Sequence, residues 1–129
     1  MNSELIYLAA ITLITALMWV PYVVNMILVR GLMDAVGYPD NPKPLTPWAQ
    51  RMKDAHANAV ENLVVFAALV LVANALSISN DTTILACAIY FWARVAHFAF
   101  YTVKIPFART GAFVAGVVGQ VMLAVQILA

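Results

Sequence analysis

Charge is scarce in this sequence. Its 129 residues include seven Lys and Arg and six Asp and Glu, only 10% of the chain, and the formal net charge is +1. A domain folded in water carries about 25% charged residues to solvate its surface. A net charge this small also argues against nucleic acid or another polyanion as partner. One cysteine, Cys87, excludes an internal disulfide. It sits in an apolar run and reads as a small buried hydrophobe. No His, Cys, Asp or Glu spacing suits a metal site. There is no Ser/His/Asp pattern and no glycine-rich phosphate loop. The start lacks the basic segment and short apolar core of a cleavable signal. Its first charge is Glu4, and the apolar run that follows is long enough to span, so it is expected to stay as a helix.

Apolar residues fill the space that charge leaves. They make up 64% of the chain, and mean hydropathy is +0.89. In water such a chain would expose large apolar patches, a conflict that a lipid solvent removes. A spanning helix needs roughly 20 mostly apolar residues. Four stretches meet that need, at 5–29, 47–76, 82–103 and 107–128. Pro21 removes one backbone hydrogen bond from the first and should kink it. Thr46 before Pro47 suits an N-cap followed by proline at the first helical position. The connections 77–81 and 104–106 are short. The connection 31–46 is longer and, with Pro39, Pro42 and Pro44, should be irregular. Short loops favour antiparallel neighbours, so the expected fold is an all-α, four-helix, up-down membrane bundle. No internal repeat or second domain is apparent, and residues 1–129 read as one unit.

The basic residues are Arg30, Lys43, Arg51, Lys53, Arg94, Lys104 and Arg109. All but Arg94 lie in or beside the loops 31–46 and 104–106. The positive-inside rule then places those loops in the cytoplasm and both termini outside.

Ionisable groups at membrane depth are costly and should face protein or water. The second span carries Arg51, Asp54, Asn58, Glu61 and Asn62, and the third carries Arg94, His97, Tyr101 and Lys104. Spacings of three and four put each set on one stripe. Depth follows from counting at roughly 1.5 Å per residue from the shared outer loop. Glu61 then lies level with His97, and Asn58 with Tyr101. Arg94 is about one turn further out and within reach of Glu61, which makes Glu61 and Arg94 candidates for a structural ion pair. The two polar stripes meet in the cytoplasmic half, and Arg109 opens the fourth span at that end. The outer halves are uniformly apolar, which disfavours an ion pathway. Gly111, Ala112, Ala115, Gly116 and Gly119 on the fourth span suit close packing against a helix of this or another subunit.

Two motifs carry a family resemblance. One is Arg51, Asp54, His56, Asn58, Glu61 and Asn62 followed by an apolar run with Phe66. The other is Arg94, His97 and Tyr101, then Ile105, Pro106, Arg109 and Thr110. Together, on a four-helix chain, they resemble the MAPEG family, the membrane-associated proteins in eicosanoid and glutathione metabolism. The likeness spans about residues 30–126, and the short connection through Pro106 looks like the bacterial members. Ala57 and Ala59 stand where better-known enzymes of the family carry an arginine and an aspartate.

The resemblance implies a homotrimer in a bacterial cytoplasmic (inner) membrane, with glutathione as co-substrate between subunits near the cytoplasmic face. Asn58, Glu61, His97, Tyr101, Arg109 and Thr110 match its binding positions, and Arg51 matches an arginine at the same helix edge. A thiol reacts as its thiolate, which cations and helix N-termini favour. Arg109, always charged and at the start of the fourth span, is the best candidate to stabilise it. Tyr101 or Thr110 would donate a hydrogen bond to the sulfur. Glu61 would hold the amino group, and Arg51 or Lys104 a carboxylate. The expected function is a membrane glutathione transferase or peroxidase acting on lipophilic electrophiles or lipid hydroperoxides. The alternative is a non-enzymatic membrane protein on the same scaffold that binds lipid or joins a larger complex.

Overall fold

The computed structural model describes residues 2–129. Its helices are α1 (Ser3–Leu17), α2 (Trp19–Arg30), α3 (Leu32–Val36), α4 (Pro47–Ala75), α5 (Asp81–Thr102) and α6 (Pro106–Leu128). Ser3–Arg30, Pro47–Ala75, Asp81–Thr102 and Pro106–Leu128 are each long and apolar enough to cross a membrane. These spans agree with the sequence expectation to within two residues at each end. Pro47 and Pro106 both stand in the first turn of their helices. Their missing N–H costs nothing there, because no intrahelical acceptor exists for it.

The first span is broken at Met18, three residues before Pro21. Proline has no N–H to give the carbonyl of residue i−4, here Leu17, and its ring crowds that carbonyl. The ladder therefore opens one turn ahead of the proline, and the Met18 N–H bonds to the Thr15 carbonyl at 3.3 Å instead. The loop 31–46 is less irregular than its prolines suggested, since it contains α3.

Thr46 occupies the N-cap position of α4, but its hydroxyl does not cap the helix, contrary to expectation. It accepts from Asn25 Nδ2 at 2.9 Å, and the Thr46 N–H donates to Asn25 Oδ1 at 3.1 Å. A buried amide on α2 needs both partners, and the backbone turn into α4 supplies them. Tyr22 and His56 add a second tie between the same helices, with 2.7 Å between the phenol oxygen and Nδ1.

The core lies where α1, α4, α5 and α6 meet. Leu8, Ile11, Phe66, Val70, Ala86, Cys87, Tyr90 and Leu123 form it. Phe66 and Tyr90 stack with ring centroids 3.8 Å apart. In lipid, packing of this kind holds helices together, because the surrounding tails are as apolar as the core. Outward faces carry Leu28, Val64, Trp92 and Leu128, as a lipid solvent allows.

α5 and α6 pack most closely. Ala112, Gly116 and Gly119 are buried on α6. A Cβ at position 119 would stand 2.8 Å from the Ala86 carbonyl oxygen and 3.2 Å from the Tyr90 nitrogen. Gly116 and Gly119 of the small-residue stripe therefore find their partner, α5, within the chain. Gly119→Ala is expected to destabilise by about 1–3 kcal/mol, because backbone must move to admit the methyl group. Gly111 has nothing within 4 Å, so Gly111→Ala should instead stabilise by about 0.5–1 kcal/mol through helix propensity. Thermal unfolding in one detergent compares the two, and equal melting temperatures for both variants would contradict this packing.

Both hairpin ends close in the same way. At the end of α4, Ile78 N–H bonds to the Ala73 carbonyl at 2.9 Å and Ser77 N–H to Asn74 at 3.1 Å. At the end of α5, Ile105 N–H bonds to Phe100 at 2.9 Å and Lys104 N–H to Tyr101 at 3.3 Å. Each is a Schellman cap, whose turning residue adopts a left-handed backbone. Ser77 has φ +56 and Lys104 φ +64, although glycine is the residue that fits this conformation without strain.

Candidate functional site

The polar stripes of α4 and α5 meet where expected, at the end of the bundle that carries the basic loops. Arg94 is the centre of the inner part. It is 2% exposed, and its Nη2 donates to Asn58 Oδ1 at 2.6 Å. Asn58 is held in turn by Asn62, whose Nδ2 donates to the Asn58 carbonyl at 3.0 Å and to its Oδ1 at 3.3 Å. Gln120 on α6 donates to the Asn62 carbonyl at 3.3 Å. One chain of amide contacts thus links α4, α5 and α6 at membrane depth.

The expected pair of Glu61 and Arg94 is not made. Glu61 is exposed on α4, and no ion pair is present among the described residues. The rotation of α4 turns Asn58, not Glu61, towards Arg94. Three residues advance a helix by 300°, so Glu61 is turned about 60° from Asn58. Asn58 faces α5, Glu61 faces outward, and the long arginine side chain bridges the step in depth to the amide.

Arg94 retains two buried nitrogens, Nε and Nη1, without a hydrogen-bond partner, and His97 retains a buried Nδ1 in the same condition. Buried polar groups are almost always partnered, so a cluster of unused ones needs an explanation. His97 lies one turn along α5 from Arg94 and contacts Tyr101 and Phe113, with ring centroids 5.7 and 6.0 Å away. Arg109 on α6 lays its guanidinium over the Tyr101 ring, 4.7 Å from the centroid. That stacking orients the charge without using its N–H groups.

Two cavities flank the Tyr101–Arg109 pair. The inner one, about 280 Å³, is lined by Asn58, His97, Tyr101, Arg109, Thr110 and Phe113. The outer one, about 390 Å³, is lined by Arg51, Asp54, Phe100, Tyr101, Lys104, Ile105, Pro106 and Arg109. Seven of the residues singled out from the sequence therefore line these two neighbouring cavities: Arg51, Asn58, His97, Tyr101, Lys104, Arg109 and Thr110. Arg94 and Glu61 line neither cavity.

The two candidate donors to sulfur differ. The Thr110 hydroxyl donates to the Pro106 carbonyl at 3.2 Å, one turn back along its own helix. The Tyr101 phenol has no partner among the described residues. Arg51 is anchored through Nε, which donates to the Thr102 carbonyl at 3.0 Å, so its other two nitrogens remain available. Sequence reasoning named Ile105 and Pro106 in a motif without giving them a role as walls, and it missed Phe100 and Phe113. Phe113 was within reach of it, lying four residues from Arg109 on the same face of α6.

These features define a four-span integral membrane protein with a cationic cleft opening at one end of its bundle. The model of the MAPEG family matches residues 6–129, and the chain belongs to that family. No curated protein matches it.

Proposed function

We propose that the protein is a membrane-bound, glutathione-dependent transferase or peroxidase acting on lipophilic electrophiles or lipid hydroperoxides. Family membership suggests the scaffold, and the cations Arg51, Lys104 and Arg109 that line the cavities around Tyr101, with no ion pair among the described residues, carry the reading. Glutathione supplies what they lack, a polar peptide with two carboxylates. Its sulfur would lie at Arg109, where the guanidinium charge and the N-terminus of α6 favour the thiolate. The free phenol of Tyr101 is the better donor to sulfur, because the Thr110 hydroxyl is engaged. Arg51 would take a carboxylate. Glu61 would take the amino group, and its exposure on one chain suits a site completed by a neighbouring copy in a homotrimer.

In the transferase reaction the thiolate attacks an electrophilic carbon. A C–S bond forms, the bond to the leaving group breaks, and the electron pair departs with that group. In the peroxidase reaction two thiols become one disulfide while the hydroperoxide becomes an alcohol and water. The cleft's task is the same in both, to hold thiolate beside an apolar substrate away from bulk water. We place the protein in a bacterial cytoplasmic membrane, as a bacterial-type member, with both termini outside.

The decisive experiment is glutathione-dependent turnover of the purified protein with 1-chloro-2,4-dinitrobenzene and with cumene hydroperoxide. Turnover with either supports the proposal. Turnover with neither leaves the non-enzymatic scaffold as the better description. Mass measurement in nanodiscs tests the trimer, and a clean monomer would remove the intersubunit role of Glu61. Glu61→Gln is expected to leave thermal stability unchanged and to weaken glutathione binding by about tenfold in calorimetry, as loss of one charge-assisted contact does.

A further inference from the structure

The short helix α3 has little support within the chain. None of its five residues is buried, and a helix of that length is not stable in water by itself. Its two ends are nevertheless set by glycine. Gly31 has φ +81 and ψ 157, a conformation open essentially to glycine alone, and it ends α2 so that α3 can take a new direction. A Cβ at Gly37 would stand 2.8 Å from the Met33 carbonyl oxygen, so a side chain there would force the turn to shift. The far end of the loop comes back to the same place, where Arg30 Nε donates to the Lys43 carbonyl at 2.7 Å. α3 therefore stays beside the point where the first span ends, at the basic end of the bundle.

At roughly 100° per residue, Leu32, Met33 and Val36 share one face of α3, and Asp34 stands about 150° from the centre of that face. Met33 is 80% exposed and Val36 71%. Leu28, in the last turn of α2, is 79% exposed on the lipid side of the first span. Tyr38, fully exposed just beyond α3, is of a residue type that collects at headgroup level. Arg30 and Lys43 are cations of the kind that anchor the end of a span among the phosphates. An apolar face, an acid opposite it and a neighbouring aromatic are features of a helix lying in the plane of a membrane interface. We propose that α3 is such an interfacial helix. Leu32, Met33 and Val36 enter the acyl boundary of the leaflet at the basic end, Asp34 faces water, and Tyr38 stays among the headgroups. The bilayer is the occupant of this face, because the face continues the lipid-exposed surface of the first span at Leu28. Such an anchor is independent of the chemistry in the cleft.

Spin labelling of the full chain in lipid nanodiscs tests this. Leu32→Cys, Met33→Cys, Asp34→Cys and Val36→Cys are made one at a time in a Cys87→Ala background, and each carries a nitroxide. These four substitutions leave the packed bundle untouched, since α3 buries no residue. Power saturation then compares collision with oxygen, which concentrates in lipid, and with a nickel chelate, which stays in water. The oxygen-to-nickel ratio should be severalfold higher at positions 32, 33 and 36 than at 34, with the largest contrast at 36. A ratio at position 34 equal to that of its neighbours would overturn the proposal, whether all four labels stand in water or all four in lipid. Shielding of positions 33 and 36 from both reagents would also overturn it, because protein, such as a second copy of the chain, would then cover this face.

Discussion

Arg109→Ala is expected to lower thiol-transfer turnover by roughly a hundredfold or more, the usual effect of deleting a positioned group that stabilises developing or reacting charge. Folding should survive the change. Arg109 is half-buried in the first turn of α6, and its contact within the chain is the stack on Tyr101. Such a contact contributes only about 0.5–2 kcal/mol. The charge faces both cavities, so its loss should act on the bound sulfur and leave the helix packing intact. Turnover and oligomer mass measured on the same preparation separate the effects. Undiminished turnover in a correctly assembled variant would remove Arg109 from the mechanism. Arg109→Lys should recover part of the activity, since it restores charge without the planar fork that stacks on Tyr101.

The second large effect is on stability and concerns Asn58 and Arg94. Asn58→Leu should cost about 3 kcal/mol, because it strands a buried guanidinium at membrane depth. Arg94 already has two unpartnered nitrogens, and this substitution removes the partner of the third. Arg94→Leu should cost less. It leaves Asn58 Oδ1 with the Asn62 amide as a remaining donor, and it adds no stranded charge. The double variant should lose less than the sum of the two, by about 1 kcal/mol or more of coupling energy. A double-mutant cycle built on unfolding in mixed micelles measures this. Strict additivity would mean that the 2.6 Å contact contributes nothing to the fold. Glu61→Gln serves as the comparison in that experiment, since an exposed Glu61 predicts no coupling to Arg94 at all.

Much of this architecture was legible in the sequence. Run length against bilayer thickness set the four spans, and proline at position 47 sharpened the start of one, whereas Pro106, read as part of the connection, opens α6. Three- and four-residue spacing assembled Arg51 and Asn58 on one helix and His97 with Tyr101 on another. The clustering of cations at 30–53 and 104–109 marked the end of the bundle where the cleft opens. Periodicity supplies rotation within a helix, but not rotation of that helix against its neighbours. Only the tertiary structure decided that Asn58 faces Arg94 while Glu61 turns outward. The same limit applied to the glycines of α6, whose partner is the Ala86–Tyr90 backbone of α5. It applied again to Thr46, whose hydroxyl serves Asn25 from a distant helix, and to Glu4, the first charge of the chain, which packing buries at 3% exposure. Apolar pattern and helix punctuation are local properties, so they are written in the sequence. The azimuth of each helix follows from how closely the backbones approach and which side chains interlock, and that is settled only when the four spans pack together.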